Sequence, residues 1–239
     1  MKIKYLLPIC FILLLLSCKK ETPETTPQTE RPIKRKLFFN SHEETTARYI
    51  LDYEYDLDNR LVRTIGSSER IDSFKYNSIH QLVKKLGYEN NYHHGYYLVD
   101  SVNYQFKGVL LMKELICDLW NGNLRSLNRY VYENSKLTEK YAYYNQKFVS
   151  YTRYEYSGDD CTKETCFTDS LGSNISIYQD HHYKNKKLIG TETYGFNGSK
   201  IQLINYTYNV EGNLITEEAK LTTPDAAKPY FYVYRYEYD

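Results

Sequence analysis

Catalysis by paired carboxyl groups would have to start from Asp159-Asp160, since glycoside cleavage needs two acids facing each other across a cleft. Neighbouring residues of a strand point to opposite faces and those of a turn splay, so this pair does not converge on a bond. The same geometry decides the histidines. His93-His94 and His181-His182 are adjacent pairs, and neither can chelate one metal ion from regular β structure. Asp56-Leu57-Asp58-Asn59 begins with the spacing of a calcium loop, but Arg60 stands at the third ligand position and no Glu follows at the twelfth. It reads as a turn. No Gly-x-Ser-x-Gly, phosphate loop, His-Glu-x-x-His or Cys-x-x-Cys occurs. The expectation is a chain with no catalytic residue, no metal and no cofactor.

What recurs instead is aromatic. About ten times, an aromatic, one residue and a second aromatic precede Asp or Asn, a short polar stretch and an apolar residue. The clearest copies are Tyr53-Glu54-Tyr55-Asp56 running to Leu61, Phe74-Lys75-Tyr76-Asn77 running to Leu82, and Tyr206-Thr207-Tyr208-Asn209 running through Gly212 to Leu214. Looser copies begin at Tyr130, Tyr154, His182 and Tyr194, and the chain ends on Tyr234-Arg235-Tyr236-Glu237-Tyr238-Asp239. Aromatics spaced by one residue share a strand face, Asp or Asn bonds its own backbone and turns the chain, and the apolar residue opens the return strand. One copy is therefore one β-hairpin. Such a unit cannot bury its own apolar face and must stack on its neighbours.

Copies separated by short turns, with no helical spacer, give antiparallel neighbours. The expected fold is all-β: a long antiparallel meander of about 14 strands, forming a curled single sheet or a barrel-like closure, because open sheets rarely exceed roughly ten strands. The last strand shows the alternation best. Tyr230, Tyr232, Tyr234, Tyr236 and Tyr238 share one face, with Phe231, Val233, Arg235 and Glu237 on the other. The chain has 28 tyrosines, and two uses suit them. They can form cross-strand ladders, at about 0.2–1 kcal/mol per pair, or an aromatic face on which a sugar ring or an extended peptide stacks.

The Tyr-x-Tyr-Asp-x-x-Gly-x-Leu phrase resembles the YD repeat of Rhs-type shell proteins and of small Bacteroidota lipoproteins, over about residues 49 to 239. In the large members this implies a sheet spiralling into a hollow shell around a toxin. Here the chain is too short for such a shell, so the resemblance implies the strand chemistry and not the toxin function.

At the other end, Lys2 and Lys4 precede the apolar run Tyr5 to Leu16, too short for a permanent span, and then Leu15-Leu16-Ser17-Cys18. This tetrapeptide resembles the bacterial lipobox, which implies removal of residues 1–17 and acylation of Cys18. Acyl chains contribute about 0.8 kcal/mol per buried methylene, enough together for stable anchoring. Residues 18–36 then carry Pro23, Pro27 and Pro32 among Thr, Glu and Lys, and read as a flexible tether ahead of a β-hairpin repeat domain at 37–239. The opening Cys18-Lys19-Lys20-Glu21 resembles the charged export signal of Bacteroidota lipoproteins, which implies the outer membrane and favours its outer face.

Cys117, Cys161 and Cys166 remain in an oxidising envelope. Cys161 and Cys166 flank four residues and form a disulfide if a turn intervenes; on a continuous strand they lie too far apart. Cys117, beside Leu115, Ile116 and Leu119, reads as a core thiol. Asp100-Ser101-Val102 and Asp169-Ser170-Leu171 resemble an O-glycosylation sequon of Bacteroidota envelope proteins and equally suit turns before strands.

Charge narrows the partners. The chain has 31 basic and 30 acidic residues, and loss of Lys2 and Lys4 leaves 29 basic; no basic stripe dominates, so nucleic acid is not an expected partner. A membrane-spanning barrel would need a continuous apolar face, where charge costs about 2–4 kcal/mol at the midplane. Opposite the tyrosines stand Glu54, Asp56, Lys75, Arg153, Glu155, Arg235 and Glu237. The expected protein is a non-catalytic, lipid-anchored envelope scaffold or binding module for a glycan or protein partner. An immunity or inhibitor lipoprotein, or a glycan-active enzyme, are the alternatives.

Overall fold

Sixteen strands follow one another around a closed antiparallel barrel in the computed structural model, which describes residues 32–41, 43–91, 95–118, 123–222 and 230–238. The strands are β1 (Ile33–Phe39), β2 (Tyr49–Tyr55), β3 (Leu61–Gly66), β4 (Ile71–Tyr76), β5 (Leu82–Asn91), β6 (Gly95–Lys107), β7 (Leu110–Asp118) and β8 (Leu124–Glu133). They continue with β9 (Lys136–Tyr144), β10 (Lys147–Ser157), β11 (Asp160–Phe167), β12 (Ile175–Lys184), β13 (Lys187–Gly195), β14 (Lys200–Tyr208), β15 (Leu214–Leu221) and β16 (Tyr230–Tyr238). Each pairs with its sequence neighbours, and β1 closes on β16. The described residues contain no helix.

The repeat governs the hairpins. In six even-to-odd hairpins the second aromatic lies opposite the leucine that opens the return strand: Tyr55 and Leu61, Tyr76 and Leu82, Phe106 and Leu111, Tyr132 and Leu137, Tyr183 and Leu188, Tyr208 and Leu214. A register shift sits beside each second aromatic, and bulges of this kind increase strand twist and bend. The fifth copy places Cys161 opposite Tyr156 in the leucine's position. The eighth is split between the chain ends, because Tyr238 pairs with Ile33, again beside a register shift. Eight hairpin copies therefore account for sixteen strands. Sequence spacing predicts about 14 strands and about ten copies; it hides the copy of Phe106 with Leu111, and it misreads Tyr194, which lies on β13 opposite Lys200 and opens no further copy. The copy read from His182 is entered by His181, and the terminal copy at Tyr238 finds its apolar residue, Ile33, only through closure. Ile33 to Lys36, assigned by composition to the tether, are strand for the same reason.

The turns follow the same chemistry. Asp56 accepts from the amides of Asp58 and Arg60 at 2.9 Å each. Asn77 does the same for Ile79 and Gln81, and Asn209 for Asn213. In these loops Asn59 (φ 58°), His80 (φ 63°) and Gly212 (φ 95°) take the left-handed residue that completes a short hairpin loop. The even-to-odd turns and both barrel termini, Ile33 and Tyr238, lie at one rim; the remaining connections form the other.

The tyrosine side is the inner one. On it, interactions skip strands: Glu217 on β15 acts electrostatically on Tyr53 on β2, and Gln202 on β14 donates to the Tyr232 hydroxyl on β16 at 3.0 Å. Side chains converge in this way only on a concave surface. The ion pairs of the opposite face, Arg35–Asp52 (2.7 Å), Arg35–Glu237 (3.5 Å) and Arg63–Glu54 (3.2 Å), join immediate neighbours. Backbone contacts among the described strands run only between sheet neighbours. Barrels of this strand number leave a lumen, so the inward rings line a wall; Tyr53, Tyr104, Tyr132, Tyr156 and Tyr234 are half-buried.

Candidate functional site

Three groups of side chains carry chemistry. The first is the tyrosine wall. The second tyrosine of a copy donates its hydroxyl to the carbonyl of the leucine that opens the preceding copy's return strand. Tyr76 reaches Leu61 at 2.9 Å, Tyr156 reaches Leu137 at 2.9 Å, Tyr208 reaches Leu188 at 2.8 Å, and Tyr238 reaches Leu214. The cation before that leucine lies over the same ring: Arg60 over Tyr76 at 5.6 Å, Lys136 over Tyr156 at 5.5 Å and Lys187 over Tyr208 at 5.2 Å. These rings therefore clamp successive hairpins. The first tyrosine of three copies, Tyr130, Tyr206 and Tyr236, hydrogen-bonds the polar residue three positions after the preceding leucine, which for Tyr206 is Thr191. Tyr236 donates to Glu217 at 2.9 Å, and Tyr130 is hydrogen-bonded to Glu114. Burial, reinforced by the Glu217 charge, pushes the Tyr234 phenol up to about 12 and Tyr236 higher still. Lys36, 3.8 Å from Glu217, is lowered because burial outweighs that carboxylate's attraction.

The second group is the rim opposite the termini. Tyr96, Tyr97, Tyr144, Phe196, Tyr230 and Phe231 expose their rings there. Four turn tips of the terminus-bearing rim expose aliphatic side chains, Leu57, Ile79, Val109 and Val210; its other turns, at Asn134-Ser135, Gly158-Asp159 and Asn185-Lys186, are polar, and Leu171 is exposed at the aromatic rim. Of the final strand's tyrosines, Tyr230 lies at the aromatic rim and donates to Asn40 at 3.3 Å. Tyr232, Tyr234, Tyr236 and Tyr238 run down the inner wall, with Tyr232 and Tyr234 each packed on Phe38.

The third group is a cluster within the wall. Cys161 Sγ, a Glu164 oxygen and a His181 nitrogen all lie within 4.8 Å of one another, on β11 and β12. His181 places Nε2 3.3 Å from Glu164 and Nδ1 3.0 Å from the Thr191 hydroxyl. Cys161 is 1% exposed and Glu164 5%. His181 and His182 take opposite faces, as adjacency requires, and His182 lies outside near Glu192 at 3.8 Å. Adjacent-pair reasoning missed the cluster because its members are 3 and 17 residues apart and meet only across the β11–β12 pairing. The signal in the sequence was the interruption of the repeat: His for the first aromatic, Cys for the leucine.

The disulfide between Cys161 and Cys166 does not form. Both lie on the continuous strand β11, where five residues at roughly 3.3 Å each far exceed the reach of a disulfide. Asp159 sits at an exposed turn tip, 3.4 Å from Lys136, and Asp160 opens β11. Two shallow concavities on β6–β9, one lined by Leu124, Arg125, Leu127 and Tyr143, the other by Leu110, Met112, Tyr130 and Tyr132, carry no carboxylate. Ser101 is buried and Ser170 exposed. Residues 1–17, Cys18, the tether to residue 31, and His93-His94 lie outside the described residues.

No protein-family model and no curated protein matches the chain. Solved structures to which it is similar include a porin-like protein from Bacteroides uniformis, at 12% identity over 88% of this chain and 98% of the other, with a TM-score of 0.40. A porin-like protein from Bacteroides vulgatus is similar at 9% identity over 87% and 99%, with a TM-score of 0.39. The Photorhabdus luminescens Tc holotoxin pore is similar at 15% identity over 77% of this chain and 9% of the other, with a TM-score of 0.36.

Proposed function

We propose that this chain is a non-catalytic, lipid-anchored envelope protein that binds a glycan or protein partner at the aromatic rim of its barrel. The observation that carries the reading is the pairing of Ile33 with Tyr238 at the opposite rim. A segment anchored through Cys18 joins the barrel there, so the rim bearing Tyr96, Tyr97, Phe196 and Tyr230 is held away from the lipid. The exposed aromatic rings gather at that outer rim, and four aliphatic turn tips stand at the lipid-proximal one. Aliphatic tips suit a lipid surface, whereas exposed rings stack on sugars or on a peptide. Charge on the outer wall, including Arg35, Asp52, Arg63 and Glu237, favours a barrel standing in water beside the membrane. The outer membrane is the location that the lipobox and export-signal resemblances imply, with the cell surface favoured over the periplasmic face.

Two measurements test this. Labelling with a fatty-acid analogue should mark the wild type and not Cys18→Ser, which should leave the membrane fraction; equal labelling would overturn the anchor. Retention on immobilised envelope glycans and peptides should fall in Tyr96→Ala, Tyr97→Ala and Phe196→Ala, with no turnover of what is bound. Reproducible product formation would overturn the non-catalytic reading.

A further inference from the structure

The inner wall repeats one pattern eight times, and it is broken chemically at one place. The first aromatic of a copy is Tyr53, Phe74, Tyr104, Tyr130, Tyr154, Tyr206 or Tyr236, but in the sixth copy it is His181. The apolar residue opening the return strand is Leu61, Leu82, Leu111, Leu137, Leu188, Leu214 or Ile33, but in the fifth copy it is Cys161. The two exceptions are adjacent in the barrel, and they flank Glu164, at the position that Glu217 and Glu114 fill in other copies. A tyrosine donates to the carboxylate there; here an imidazole faces it and a thiol stands alongside. Neither replacement is needed for packing, since tyrosine and leucine pack the equivalent positions elsewhere.

We propose that Cys161, Glu164 and His181 bind a divalent transition-metal ion of the zinc class. The three supply one sulfur, one oxygen and one nitrogen, the donor types that zinc takes. Their ligand atoms are already within 4.8 Å of one another, and small rotations bring them onto one ion. The Thr191 hydroxyl, 3.0 Å from Nδ1, accepts that N–H and turns Nε2 toward the ion, the outer-shell bond that metal-bound imidazoles ordinarily make. Binding displaces the thiol proton to solvent, and a thiolate, a carboxylate and a neutral imidazole then balance a 2+ charge inside a buried wall. The fourth position is left to water or to a donor arriving from the lumen. This site stands independently of the lipid anchor.

The test uses the full chain bearing Cys18→Ser, freed of metal and titrated with Zn²⁺ and with Co²⁺. One equivalent should bind, thermal stability should rise with metal concentration, and the Co²⁺ complex should show a thiolate-to-metal charge-transfer band. Cys161→Leu and His181→Tyr restore the residues of the repeat, so they should fold. They should lose stoichiometric binding, the band and the metal-dependent rise in stability. Thr191→Ala should weaken affinity about 10–100-fold while retaining the band. Absence of one-equivalent binding in the wild type would overturn the proposal. So would a Co²⁺ complex without the band, or repeat-restoring variants that bind as the wild type does.

Discussion

A tyrosine hydroxyl here is a fastener between hairpins. Tyr76, Tyr156, Tyr208 and Tyr238 each tie a ring to a backbone carbonyl of the preceding copy, while the ring itself packs on the wall. Phenylalanine keeps the packing and removes the bond, so Tyr→Phe at any one of them should cost about 1 kcal/mol. Tyr76→Phe and Tyr208→Phe lie in separate hairpins and should add in the double variant; chemical denaturation checks both statements, and a cost near zero would mean that the hydroxyls are not fasteners. The phenols also set an alkaline limit. Burial raises Tyr53, Tyr104, Tyr130, Tyr206 and Tyr236 above the ordinary value of 10.0. A raised folded-state value means a contribution fully present below the unfolded value and lost as pH climbs toward the folded one. Stability should therefore be level on the acid side of 10.0 in this respect and fall steeply above it. Phenolate absorbance of these residues should rise together with loss of the β-sheet circular dichroism signal; phenols titrating freely before unfolding would contradict their burial.

At the scale of the element, the hairpin turn carries the local code. Asn134-Ser135, Asn145-Gln146 and Asn185-Lys186 each place both residues at positive φ, between 46° and 64°, as tight hairpins with right-handed twist require. Asn tolerates this conformation; Gln and Lys adopt it under strain. Gln146→Gly should raise stability by about 0.5–1 kcal/mol, the relief of the left-handed strain exceeding the added chain entropy. Gln146→Val, β-branched at the same φ, should lower it by at least about 1 kcal/mol. Thermal unfolding of the two variants gives the comparison, and a destabilising glycine would show that the turn is held by more than its backbone.

At the scale of the whole molecule, closure turns eight hairpins into one ring. The eighth copy is assembled from Tyr238 at one end of the barrel and Ile33 at the other, so β1 covers an edge that would otherwise be open. Open edges template association with other chains. Joining residue 238 to residue 33 by a short Gly-Ser linker, with new ends between Leu171 and Gly172 in the connection from β11 to β12, should give a monomer with unchanged circular dichroism, because every copy is then intact. Deleting residues 33–39 should instead expose β2 and β16 and drive self-association. Size-exclusion chromatography distinguishes the outcomes; an aggregated permutant would mean that the split copy has a special role.

From residues alone came the all-β class, the antiparallel meander, the hairpin as the unit and the tyrosine face, because each follows from period-2 alternation and from turn residues acting over a few positions. Tyr236 and Glu237 fall on opposite faces for that reason, and the turn at Asp56-Leu57-Asp58-Asn59 is held by an Asp that bonds nearby amides. The exact strand number, the closure through Ile33, the course of β11 through Cys161 and Cys166, and the gathering of exposed aromatic rings at one rim were decided by tertiary structure. Register and curvature depend on bulges and on strands far apart in sequence. The meeting of Cys161, Glu164 and His181 belongs to the same level: alternation shows which way each side chain points, but only the pairing of β11 with β12 determines which of them stand together.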